Sequence, residues 1–90
     1  MKIINFISYF SNKIDTVENE ILDFMQLCNE NKKIQLCNKI DEIIIYYNIE
    51  MERELSVEEL EYLDKKENGI LFANVINKFE NMIKKFNDLF

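Results

Sequence analysis

The chain has 90 residues, with 17 acidic against 11 basic side chains, a formal charge of −6 and no histidine. It therefore has room for one small core, and it lacks the clustered cations by which proteins displace counterions from nucleic-acid phosphates. The missing histidine removes the commonest general base and metal ligand, and a single glycine with no proline leaves no glycine-rich phosphate loop.

Apolar residues make up 48 %, too many for a disordered chain. From residue 3 they run Ile3, Ile7, Phe10, Ile14, Val17, Ile21, Phe24 and Cys28, in alternating strides of four and three. Such a seam predicts a helix over 2–29, roughly 39 Å long at the helical rise per residue. Asp15 and Glu18 have capping-box spacing, which allows a bend near Asp15-Thr16. Asn29, Glu30, Asn31, Lys32 and Lys33 carry no apolar side chain and are expected to form the first turn, centred on Asn31 to Lys33.

A second helix over 34–54 follows from Leu36, Cys37, Ile40, Ile43, Ile44, Tyr47 and Met51. Within it Ile43-Ile44-Ile45-Tyr46-Tyr47 suits a strand by propensity, yet no partner run exists elsewhere, and a lone strand leaves its backbone groups unpaired. The next segment, Ser56-Val57-Glu58-Glu59, is a capping box, with Leu55 and Leu60 at the flanking staple positions. It starts a short helix over 57–67, expected to stop at Asn68-Gly69, residues tolerant of left-handed dihedrals. Beyond them Phe72, Val75, Ile76, Phe79, Met82, Ile83, Phe86, Leu89 and Phe90 form the widest apolar stripe in the chain, which predicts a long helix over 70–89. The expected fold is an all-α small antiparallel bundle, one domain over 1–90, with three long helices and one short one.

Little in this sequence points to chemistry. Cys28 and Cys37 are the only thiols and have no histidine with which to complete a zinc site; on facing helices a disulfide between them is conceivable, but an intracellular chain keeps thiols reduced, so small buried apolar groups are the favoured reading. Acidic pairs three residues apart, Glu20 with Asp23, Glu58 with Glu61 and Glu61 with Asp64, share their spacing with the magnesium-binding carboxylates of MazG-type pyrophosphohydrolases and nothing more. They alternate with the apolar stripe and so point outward, as a solvated acidic face does. Ser8, Ser11, Thr16 and Ser56 have no base to activate them. No catalytic residue, metal site or cofactor is expected.

Charge and exposed aromatics point instead to a protein partner. Residues 51–67 hold seven acids and three bases. Glu54, Glu58 and Glu61 share one helical face if the helix is continuous there, and Asp64 and Tyr62 complete the candidate partner-binding surface. Such a patch meets a basic surface and is steered to it electrostatically. Phe6, Tyr9, Tyr46 and Tyr62 lie off the strict seams, where either a core or an interface accounts for them, the core being favoured.

The abundance of Ile, Asn and Lys (14, 12 and 10 residues) fits a low-G+C genome. The start of the chain carries no secretory pattern, and no stretch approaches the apolar length of a membrane span. The reading is a cytoplasmic protein, in its own or a host cell, that binds no nucleic acid or membrane directly. It is expected to be a phage- or mobile-element-borne inhibitor, of anti-CRISPR or immunity-protein type, of a larger basic nucleic-acid-handling protein. The alternative is a self-associating structural protein with no enzymatic role.

Overall fold

A computed structural model describes residues 2–27 and 29–89. Among the described residues the chain forms four helices: α1 (Lys2–Leu27), α2 (Glu30–Glu52), α3 (Val57–Asp64) and α4 (Lys66–Leu89).

Helix α1 is the central element because its apolar seam is broad enough to serve two neighbours. Ile3, Phe6, Phe10, Ile14, Val17 and Ile21 are all buried, facing Leu36, Ile40 and Ile43 of α2 and Val75, Phe79 and Met82 of α4. The pairings fix direction. Glu20 near the end of α1 pairs with Lys39 early in α2, whereas Phe10 stacks on Tyr47 late in α2, so the two run antiparallel. Phe6 lies against Phe72, Phe10 against Phe79 and Glu18 against Lys85, so α4 runs parallel to α1. This up-down-up arrangement makes a rod of 46 × 21 × 17 Å, whose long dimension follows from helices of more than twenty residues.

No break occurs at Asp15-Thr16. The Thr16 hydroxyl donates to the Asn12 carbonyl at 3.1 Å, and Asp15 pairs with Lys78 across the α1–α4 seam, so neither starts a new helix. The run Ile43 to Tyr47 is helical, as expected from its lack of a strand partner. Phe6, off the strict seam, is fully buried, and Tyr46 and Tyr62 pack half-buried against the core, whereas the core reading fails for Tyr9, which is 50 % exposed and meets Tyr46 edge-on.

Two boundaries differ from expectation. The first turn lies earlier than Asn31 to Lys33: Asn29 caps α2, its side-chain oxygen accepting from the Asn31 amide at 2.8 Å, so Asn31 to Lys33 form the first helical turn instead. Cys28, like Phe90 of the expected last stripe, lies outside the described residues, and Cys37 is half-buried and free. The second difference concerns the end of α3. It stops at Asp64, where Lys65 takes an extended conformation and its carbonyl accepts from the Gly69 amide at 3.0 Å, opening α4 at once. Asn68 and Gly69 therefore sit in the first turns of α4 rather than ending the helix before it. Their identities serve the close approach of the two helices: the Asn68 side-chain Nδ2 donates to the Tyr62 carbonyl at 2.9 Å, and a Cβ on Gly69 would meet the Leu63 carbonyl oxygen at 3.2 Å.

The capping box forms in full. The Glu59 amide donates to the Ser56 hydroxyl and the Ser56 amide donates to the Glu59 carboxylate, each at 3.2 Å. Ser56→Ala is expected to cost about 1 kcal/mol, read as a lower denaturant midpoint with an unchanged slope. An unshifted midpoint would show that water replaces the hydroxyl without loss.

Candidate interaction surface

The connection from α2 to α3 is built around one arginine. α2 ends at Glu52, and Arg53 turns back over the start of α3. Its guanidinium donates to both carboxylate oxygens of Glu59, at 2.8 and 2.7 Å, while its Nε donates to Glu50 at 3.2 Å. Glu59 is 3 % exposed, and among the described residues it is the one charged side chain in the buried set. The guanidinium hydrogen bonds, with those from Ser56, hold its carboxyl down at about 2 against an ordinary value of 4.5, overcoming the opposing effect of burial. A planar, two-pronged cation is needed for this geometry, which accounts for Arg53 as the sole arginine in a chain that otherwise uses lysine.

This clamp fixes which face of α3 is left outside. Glu59 and Leu63 turn toward the bundle, and so does Tyr62, which was expected on the partner-binding surface: its ring packs half-buried on the core and only borders the depression beside Glu58 and Glu61. Glu58, Glu61 and Asp64 point out, beside Val57 at 72 % and Leu60 at 54 % exposure. Leu55 of the expected staple packs on the core, whereas Leu60 is largely in solvent. Glu54 is exposed too, but it lies in the connection after α2, so the single continuous helical face expected for Glu54, Glu58 and Glu61 does not exist. The fold joins them in a different way. Glu54 and Glu58 border one open depression of about 490 Å³, together with Lys2 and Arg53. Glu58 and Glu61 border a second, of about 250 Å³, with Tyr62 and Lys65. Glu58 is common to both.

Among the described residues no ion pair engages Glu54, Glu58, Glu61 or Asp64, while Glu18, Glu20, Asp15, Glu50 and Glu59 each have a cationic partner. The four carboxylates thus form an exposed acidic patch without ion pairs, with Lys2, Arg53 and Lys65 at the margins of its depressions. Open depressions of this kind suit side chains of a protein partner better than an enclosed small molecule.

Sequence reasoning placed Glu59 only in the capping box and did not place it under Arg53. The available signal was a lone arginine three residues after Glu50 and six before the box glutamate. Among the described residues no three acidic or thiol side chains converge as a metal ion requires, and no helix is long and apolar enough to cross a membrane. No family model, curated protein or solved structure matches this chain.

Proposed function

We propose that this chain is a small acidic protein-binding module that inhibits or regulates a larger protein through that protein's basic, nucleic-acid-handling surface, with no catalysis of its own. One observation carries the reading: among the described residues Glu54, Glu58, Glu61 and Asp64 stand exposed and without ion pairs on a segment that the part-buried Arg53–Glu59 clamp holds in place. A preorganised acidic surface loses little conformational freedom on binding and steers a cationic partner over long range. Val57 and Leu60 supply apolar contact in the middle of that charge, as interface centres do. Size, acidity and A/T-biased composition are the grounds for placing the chain with phage- or mobile-element-borne inhibitors of anti-CRISPR or immunity-protein type, acting in the cytoplasm of its own or a host cell.

The test is capture of a basic protein by the immobilised chain, followed by association rates at several ionic strengths. Reversing Glu54, Glu58 and Glu61 to lysine is expected to slow association and flatten its salt dependence while leaving helix content unchanged. If capture and its salt dependence are the same for the triple variant, the reading is wrong. Duplex DNA is expected to compete, because it occupies the same cationic surface on the partner.

A further inference from the structure

We propose that the cleft between α1 and α2 is a binding site for a free amino acid with an aromatic side chain. The cleft has a volume of about 160 Å³. That is the size of one ring, since an engineered cavity of roughly 150 Å³ takes up benzene. It opens where α1 presents two short side chains, Thr16 and Val17, between the Tyr9–Tyr46 contact and Lys39. Its floor is apolar, with Val17 of α1 and Ile43 of α2 only 3 % and 4 % exposed.

The aromatic wall of the cleft is held from within. Phe6 and Phe10 are buried, and the Tyr46 ring packs on both, with centroids 5.8 and 6.0 Å away. Tyr9 meets Tyr46 edge-on at 5.1 Å, and the Lys13 ammonium rests 5.5 Å from the centre of the Tyr9 ring. The order of the core thus passes outward to a half-exposed tyrosine and, through it, to a cation. A ring seated in the cleft gains apolar contact with a wall and floor that are already in position, so little freedom is lost on binding.

Charge specifies the rest of the ligand. Lys39 is already paired with Glu20. Among the described residues no ion pair engages Lys13 or Glu42, which border the cleft from α1 and α2 respectively. One unpaired cation and one unpaired anion around an apolar floor match a zwitterion, with its carboxylate toward Lys13, its ammonium toward Glu42 and its ring on Val17 and Ile43. A free amino acid carries both charges on one carbon, whereas a residue inside a peptide has lost them to amide bonds. The site shares no residue with the acidic surface of 54–64, and its ligand has no net charge.

The experiment is titration of the full chain with L-phenylalanine, followed by the methyl resonances of Val17 and Ile43. A saturable shift with a roughly millimolar dissociation constant is expected. Hydrocinnamate, which lacks the ammonium, and phenethylamine, which lacks the carboxylate, are each expected to bind at least ~threefold more weakly. Glu42→Gln should abolish the preference over hydrocinnamate, and Lys13→Gln the preference over phenethylamine. Both positions are exposed, so neither change disturbs the core. Thr16→Phe, also at an exposed position, should fill the cleft and prevent binding with both charges retained. Absence of a saturable shift overturns the proposal, as does equal binding of the three probes or preferences that survive both glutamine variants. Binding of N-acetylphenylalaninamide as tight as that of L-phenylalanine also overturns it, and would make the cleft a seat for a side chain of a protein partner. The triple lysine variant of the acidic surface should bind L-phenylalanine as the parent does, whatever its effect on partner capture.

Discussion

Phe10→Ala is expected to cost about 3 to 5 kcal/mol, the largest single loss available to a side-chain truncation in this chain. Phe10 is 0 % exposed and lies where all three long helices meet. Its ring centroid is 4.9 Å from Phe6, 5.1 Å from Phe79, 5.7 Å from Tyr47 and 6.0 Å from Tyr46. Removing the ring leaves a cavity bounded by other rings, which are too stiff to collapse into it, and loses favourable aromatic contacts as well. Phe79→Ala acts on the same cluster through Tyr47, 4.5 Å away, but Phe79 retains 7 % exposure and should cost somewhat less. A domain of this size has roughly 5 to 13 kcal/mol of stability in total, so Phe10→Ala should remove a large share of it. Equilibrium denaturation decides: a cooperative transition at nearly the parental midpoint would mean that the aromatic cluster can repack around the vacancy.

Helical periodicity conveyed the bundle well because burial in a three-helix rod acts on one stripe per helix. The seam from Ile3 to Phe24 and the stripe from Phe72 to Leu89 both face the core in the fold. Phe6 shows where a strict heptad is too narrow. A helix flanked on two sides needs a wider apolar face than a two-helix seam, so the neighbouring position is recruited. Boundaries were less readable, since they depend on which polar side chain wins a local competition. Asn29 could cap because its oxygen reaches the Asn31 amide, and that moved the turn ahead of the lysines. At Asn68-Gly69 the residue types were diagnostic of a tight junction, but the junction proved to be a close approach of α4 to the α3 backbone rather than a left-handed stop.

The candidate surface was readable as composition and not as geometry. Glu54, Glu58, Glu61 and Asp64 are all exposed, yet Glu54 reaches the same region from a connection rather than from the α3 helix. Counting acids along 51–67 also treats Glu59 as one more surface charge. Its burial depends on Arg53 folding back over six residues, a tertiary contact that no period of 3.6 encodes. The consequence for function is concrete: the carboxylate that neutralises Arg53 is inside, and those left outside have no cation assigned to them.

The Arg53–Glu59 clamp is expected to make stability fall as acid is added. Glu59 titrates at about 2 in the folded chain and near 4.5 when unfolded. Above pH 4.5 both states are ionised and the stabilisation by Arg53 is complete. As pH falls from there the unfolded chain takes up the proton first, so the contribution shrinks and has vanished once pH passes below about 2. Glu59→Gln keeps an oxygen that can accept from the Ser56 amide while removing the charge. It is expected to be less stable than the parent at neutral pH, by more than Ser56→Ala, because it leaves the Arg53 guanidinium partly buried without its principal partner. Arg53→Lys should recover only part of the loss of Arg53→Met, as a single ammonium cannot engage both carboxylate oxygens along the same plane. Denaturant midpoints of parent and Glu59→Gln, followed from neutral pH downward, should converge as pH approaches about 2. Two parallel curves would instead mean that the capping box alone holds the α2–α3 connection and that the charge on Glu59 adds nothing to it. In that case the acidic surface would owe its placement to Ser56, and the Ser56→Ala variant would be the one to lose partner capture.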